Sequence, residues 1–173
     1  MATPLILLPP SEGKASGGNG PPWQEAAQSF ADLNDHRRNV VAALIEAMGE
    51  SVEARSKLLG VKVAKTSDAT AANLAIDSAP TLPAIERYTG VLYDALDYPS
   101  LPEKLRRGVD RQVVVFSGLW GAVRPADAIP DYKLKMGAAL LGLGRPATFW
   151  KPILTEALVD AASGTVWDLL PNE

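Results

Sequence analysis

Apolar and polar positions alternate along this chain in a way that predicts strands separated by helices. Three short aliphatic and β-branched runs, Leu5–Leu8, 113–116 and 165–169, are typical of buried strands. Apolar residues recur at helical spacing over 39–59, 64–76, part of 86–96, and 148–162. We expect Gly49 to bend or break the first of these helices. The order predicts an α/β domain with a small, mainly parallel or mixed sheet flanked by helices.

A polar segment follows each predicted strand. These segments are 9–14 (PPSEGK), 117–137 and 171–173. In a parallel sheet the carboxyl ends of the strands meet at one edge, and ligands bind in the crevice beyond that edge. We therefore predict that Lys14, Ser117 and Asn172 line the same cleft.

Residues 117–137 (SGLWGAVRPADAIPDYKLKMG) contain the most varied set of candidate functional groups. The glycines let the backbone turn sharply or approach a ligand, and we interpret the segment as a site. Arg124 suits a phosphate or a carboxylate, or alternatively a structural ion pair with Asp127 or Asp131. Tyr132 offers a hydroxyl or a stacking face, or alternatively is a buried aromatic. Alternatively, the whole segment is a long loop whose role is only structural.

Lys14 ends the segment that follows the first predicted strand. The segment lacks the G-x-x-x-x-G-K-[ST] pattern, so binding of a nucleoside triphosphate by a phosphate loop is not expected. Lys14 can meet a phosphate as a point charge, or act as an amine nucleophile if it is desolvated. Alternatively, it is a solvated lysine in a loop.

Composition narrows the function classes. The 173 residues include no cysteine and one histidine, and the formal net charge is −3. Disulfides and thiolate metal sites are therefore excluded, no metal or cofactor is expected, and His36 is interpreted as a surface residue before a helix. No apolar run approaches bilayer length, and the N-terminus lacks the basic region of a signal peptide, so we expect a cytoplasmic protein without membrane contact. Any nucleic-acid contact must come from a local basic patch.

A glycine-containing turn joins the first two predicted helices at 56–62 (SKLLGVK). A helix–hairpin–helix element points the amides of its hairpin and nearby lysines at the phosphates of one DNA strand. Lys57, Lys62 and Lys65 supply the charge and Gly60 the turn. Alternatively, the pattern is an ordinary helix that ends at glycine.

Several motifs occur together and in order along the whole chain. They are PPSEGK, KLLGV, RYTGVLY, the segment 117–137, FWKP and WDLLPNE. This series resembles the bacterial peroxide stress protein YaaA family. The resemblance implies a cytoplasmic protein that limits oxidative damage to DNA by keeping free iron low. It also implies that the protein binds double-stranded DNA through a helix–hairpin–helix inserted in an α/β fold, with a pocket similar to that of DNA lyases.

The resemblance assigns roles by position. The hairpin residues are Lys57, Gly60, Lys62 and Lys65. Lys14, Arg124 and Tyr132 fall in the pocket by position, and their side-chain chemistry makes them the candidate catalytic residues. The other pocket residues are Ser11, Glu12, Ser117, Lys133, Asn172 and Glu173. The alternative function is an enzyme that acts on a nucleotide-like or other anionic small molecule with Lys14 and Arg124.

The resemblance also bears on the extent of the domain. We expect residues 1–173 to form one domain that lacks its C-terminal part, because relatives continue past the Asn-Glu pair. A third strand without its partners would expose an apolar edge. We therefore expect the chain to cover this edge by forming a homodimer or through close crystal contacts.

Overall fold

A computed structural model describes residues 4–159, 161–162 and 164–171. Its strands are β1 (Leu5–Leu8), β2 (Gly13–Lys14), β3 (Leu82–Pro83), β4 (Tyr88–Thr89), β5 (Val113–Ser117), β6 (Gly121–Val123), β7 (Ala128–Ile129) and β8 (Val166–Asp168). Its helices are α1 (Asn34–Ala47), α2 (Val52–Leu59), α3 (Thr66–Leu74), α4 (Ala84–Arg87), α5 (Val91–Leu96), α6 (Glu103–Gln112) and α7 (Pro146–Val159).

The central sheet has four strands in the order β6-β5-β1-β8. Strand β1 pairs in parallel with both β5 and β8, whereas β6 runs antiparallel to β5. The valines of β5 are buried, which explains why this run is apolar without alternation. The predicted α/β fold with a mixed sheet and flanking helices is confirmed.

Strands β1, β5 and β8 correspond to the three predicted apolar runs, and α1 and α2 divide the predicted helix over 39–59. Helix α1 ends at Ala47, two residues before Gly49. The predicted helix is therefore broken near this glycine, not bent. The helix begins at Asn34, and His36 therefore lies inside α1 instead of before it. Its ring lies edge-on to Phe149, with 6.0 Å between ring centroids.

Helix α7 packs on the hairpin between β5 and β6 through a tryptophan. Trp150 is fully buried, and its Nε1 donates a hydrogen bond to the Gly118 carbonyl at 2.9 Å. A Cβ at Gly121 would lie 2.8 Å from the Trp150 ring, and Gly121 has φ +72°. This turn therefore requires glycine both for its backbone conformation and for close contact with the helix.

Two buried arginines join segments that are distant in sequence. Arg37 on α1 donates to the carbonyls of Trp120 and Ala122 beside β6. Arg87 at the end of α4 donates to the carbonyls of Ala15, Gly17 and Ile129. A buried guanidinium group needs hydrogen-bond acceptors for its N–H groups. The bonds of Arg87 therefore hold β2, β4 and β7 near one another.

Strand β8 lies at the outer edge of the sheet and exposes apolar side chains. Trp167 is 60% exposed, and Leu169, directly after the strand, is 51% exposed.

Among the residues that the structure describes, no helix is long and apolar enough to cross a membrane. The expected homodimer stays a prediction.

Candidate functional site

A cavity of about 860 Å³ opens where β1 and β8 end. The loop after β1 contributes Pro9, Pro10, Ser11, Glu12 and Lys14; α2 and its end contribute Ala54, Lys57, Leu58 and Gly60; the remaining lining comes from 133–139 and Pro171. Residues from the N-terminal loop, the helical pair and the 117–137 segment thus meet in one place. For the described residues, this arrangement agrees with the prediction that the polar segments meet at one edge of the sheet.

The described lining of the cavity is basic. Four lysines line it, Lys14, Lys57, Lys133 and Lys135, whereas Glu12 is the one carboxylate among the lining residues that the structure describes. Such a cluster of ammonium groups attracts anions even though the whole chain has a net charge of −3.

Lys14 lies at the inner side of the cavity on β2, which pairs with β4. Its Nζ donates to the Ser11 carbonyl at 3.2 Å and lies 4.3 Å from the centroid of the Tyr132 ring. Desolvation and, to a smaller extent, the nearby charge of Lys133 lower the pKa of Lys14 to about 8. A substantial fraction of Lys14 is therefore a neutral amine slightly above neutral pH.

Two buried tyrosines and a serine lie next to Lys14. The Tyr132 hydroxyl is 2.8 Å from the Tyr88 hydroxyl and 2.7 Å from Ser117 Oγ. Ser117 Oγ also accepts the backbone N–H groups of Leu119 and Trp120, which fixes the turn after β5. Burial raises the pKa of Tyr132 well above its usual value, so its phenol stays protonated and supplies a ring and a hydroxyl, not a base.

Glu12 bridges the loop after β1 to the 133–139 segment. Its Oε1 lies 3.1 Å from Lys135 Nζ, and its backbone carbonyl accepts a hydrogen bond from Lys133 Nζ at 3.1 Å. The hydrogen bond from Lys135 lowers the pKa of Glu12, and the charges of Lys133 and Lys14 act in the same direction. Glu12 is therefore ionised at neutral pH.

The turn between α2 and α3 borders the cavity. Helix α2 ends at Gly60, which has φ +63°, and the backbone N–H of Val61 bonds to the Ser56 carbonyl. A Cβ at Gly60 would overlap Cε and Nζ of Lys135, so the Lys135 side chain crosses the turn at the glycine. Lys57 and Gly60 line the cavity, whereas Lys62 and Lys65 are exposed on the turn and do not line it.

Arg124 is not brought to the cavity. Its Nη1 donates to the carbonyls of Arg111 and Val113, at the start of β5, whereas Ser117 is at the opposite end of that strand. The antiparallel return of β6 carries the chain back along β5 before Arg124 is reached. Asp127 accepts from the backbone N–H of Arg124 at 2.8 Å and caps a turn, which differs from the side-chain ion pair considered as the alternative role of Arg124.

One further described residue, Ser117, differs from the predicted cavity lining. Ser117 is fully buried and reaches the site only through Tyr132. Asn172 and Glu173 lie outside the described residues. Pro171, directly before them, lines the cavity.

Asn73 is a positioning residue that the sequence interpretation missed. It is fully buried on α3, where its Oδ1 accepts the backbone N–H of Lys133 at 2.7 Å and its Nδ2 donates to the Lys133 carbonyl at 3.0 Å. This pair of bonds holds the lysine segment against the helical pair. The signal in the sequence was the helical spacing: Asn73 follows Thr70 by three residues and precedes Ile76 by three, so it lies on the same face of the predicted helix. The structure shows that this face is buried.

The fold and the cavity define an α/β protein with a basic site at the carboxyl edge of its sheet. Residues 5–173 match the family model described as peroxide stress protein YaaA, and the chain belongs to this family. It is 43% identical over 166 residues to a UPF0246 protein of Streptomyces coelicolor, covering 95% of this chain and 64% of that protein. A UPF0246 protein of Corynebacterium glutamicum is 39% identical over 160 residues, with coverage of 90% and 62%. The chain thus spans a little under two thirds of the length of these relatives.

The lowered pKa of Lys14 predicts a pH-dependent stability. Between pH 8 and about 10.4 the unfolded chain binds more protons at this residue than the folded chain does, so the free energy of unfolding rises with pH. Replacing Lys14 with Met should stabilise the protein at pH 7 by about 1–3 kcal/mol, and the gain should shrink as the pH approaches 10. Urea unfolding at several pH values measures this, with the exposed Lys62→Met as control. An equal pH dependence in both variants would contradict the prediction.

Proposed function

We propose that this chain binds double-stranded DNA in the peroxide stress response and holds the phosphate backbone with the α2–α3 turn and the adjoining cavity. The observation that carries the proposal is the shared lining: Lys57 and Gly60 of the turn border the same cavity as Lys14, Lys133 and Lys135. The family to which the chain belongs supports the link to peroxide stress. A cytoplasmic location, where such a protein meets DNA, is part of the proposal.

The chemistry of this surface suits phosphates more than bases. Lysine ammonium groups are compact point charges, and backbone amides at a turn bind phosphate oxygens without distinguishing base edges. Lys62 and Lys65 extend the basic surface to the exposed side of the turn, although Lys65 Nζ also lies 3.8 Å from Asp68. The helical pair would therefore act as a helix–hairpin–helix element that binds without sequence preference.

Replacing Lys57, Lys62 and Lys65 together with Ala should weaken binding similarly for two unrelated duplexes. If each lysine contacts one phosphate, the slope of log affinity against log salt should fall by roughly three units. A salt titration by fluorescence anisotropy measures this slope. The matched control replaces Arg107, Arg111 and Lys151, which are exposed and do not line the cavity, and removes the same charge.

An unchanged slope in the first variant would move the contact away from the turn. A loss confined to one of the two duplexes would contradict binding through the backbone alone. No binding of either duplex by the unmodified chain at low salt would refute DNA binding by this chain.

Lys14 favours a second candidate, an enzyme that acts on an anionic substrate with a carbonyl group. Its amine is desolvated, has a pKa of about 8 and lines a cavity that contains three other lysines. The lone pair on Nζ would add to an aldehyde carbon, such as that of an abasic sugar in DNA, and loss of water would give a protonated imine. Arg124 has no part in this candidate, because it lies away from the cavity.

Borohydride reduction tests the imine. It should convert the imine to a stable secondary amine and cross-link the protein to a duplex that contains an abasic site. Lys14→Met should abolish the cross-link, whereas Lys133→Arg should retain it. A cross-link that persists in Lys14→Met would exclude Lys14 as the nucleophile.

A further inference from the structure

We propose that Glu12 is an internal competitor for phosphate, whose carboxylate occupies Lys135 until a phosphate group of DNA replaces it. The inference rests on the proposed function, because it names how the same cavity is regulated. It concerns the exchange of one anion for another on the same lysine.

The competition follows from where two of the three oxygen atoms of Glu12 lie. The carboxylate Oε1 is 3.1 Å from Lys135 Nζ, and the backbone carbonyl accepts from Lys133 Nζ at 3.1 Å. One residue thus engages two of the four lysines that line the cavity. A phosphate that approaches these ammonium groups meets a site already partly neutralised.

Lys135 is the partner of Glu12 in this ion pair. Its side chain crosses Gly60, where a Cβ would overlap its terminal atoms, and its backbone follows the segment that Asn73 binds at Lys133. The ammonium group therefore lies at the junction between the helical turn and the sheet edge. The side chain of Lys135 is 36% exposed, which leaves the ammonium reachable from solvent.

Glu12 is the movable partner. Its side chain is 69% exposed, and the next residue is the exposed Gly13. Exposed ion pairs contribute little free energy because water solvates both charges, so they exchange readily. Successive phosphates along a DNA strand can meet several of the lysines at once, whereas the single carboxylate of Glu12 pairs with one, and this favours replacement when DNA is present.

The test compares duplex binding by Glu12→Gln and by Glu103→Gln. Glu103 is 73% exposed, pairs with Arg107 and does not line the cavity, so its variant removes the same charge elsewhere. Glu12→Gln should tighten binding about three- to tenfold at low salt, whereas Glu103→Gln should change it less than about twofold. Glu12→Ala should give the same increase, which guards against an effect peculiar to the glutamine amide.

Measuring the effect of Glu12→Gln in a Lys135→Met variant separates two causes. One is competition of Glu12 with DNA for Lys135, and the other is general repulsion between the Glu12 charge and DNA. If Glu12 acts by occupying Lys135, the gain from Glu12→Gln should largely disappear when Lys135 is absent. A gain of the same size in both backgrounds would overturn the inference. Thermal unfolding of each variant confirms that the protein compared is folded.

The outcomes also separate this inference from the proposed function. If the unmodified chain binds duplex DNA and Glu12→Gln matches Glu103→Gln, the inference fails and DNA binding stands. If neither the unmodified chain nor Glu12→Gln binds duplex DNA at low salt, DNA binding fails and the inference fails with it. Titration with inorganic phosphate is the last arm: tighter phosphate binding without tighter DNA binding would overturn the proposed replacement by DNA.

Discussion

The contact between Lys135 and Gly60 joins the two parts of the proposed binding surface. Helix α2 is capped by Gly60 in the left-handed conformation, which favours glycine, and the Lys135 side chain crosses the turn at that point. The ammonium group of the same lysine also reaches Glu12 in the loop after β1. The helical pair and the edge of the sheet are thereby connected through one side chain, and Asn73 supports the connection from α3.

Burial determines what the inner part of the cavity can do. Lys14 is desolvated over the ring of Tyr132, and the buried phenols of Tyr132 and Tyr88 bond to each other and to Ser117. Such an environment disfavours charge on the amine and on the phenols alike. The outer lysines remain solvated cations that suit phosphate, while Lys14 has the properties of a nucleophile. One cavity thus supports both candidate functions with different residues.

The apolar pattern predicted the strands β1, β5 and β8 and the helices α1, α2, α3 and α7, because periodic apolar segments carry their own signal, but it missed α6. It did not predict β2 or β4, because two-residue strands have no period and depend on tertiary bonds such as those of Arg87. Proximity in sequence also misplaced Arg124: it follows Ser117 by seven positions, but the antiparallel return of β6 carries it to the other end of β5. The polar segments at the sheet edge were predictable because strand direction decides where they lie.

The central claim is that the helical turn and the cavity form one surface for DNA phosphate. A titration of the isotope-labelled chain with a short duplex, followed by the backbone amide signals in NMR spectra, tests it most directly. The account predicts that the amides of Gly60 and Lys62 and those of Gly13 and Lys135 shift together and saturate with the same dissociation constant, while those of α6 do not shift. Shifts in only one of the two sets, or saturation at different DNA concentrations, would contradict it.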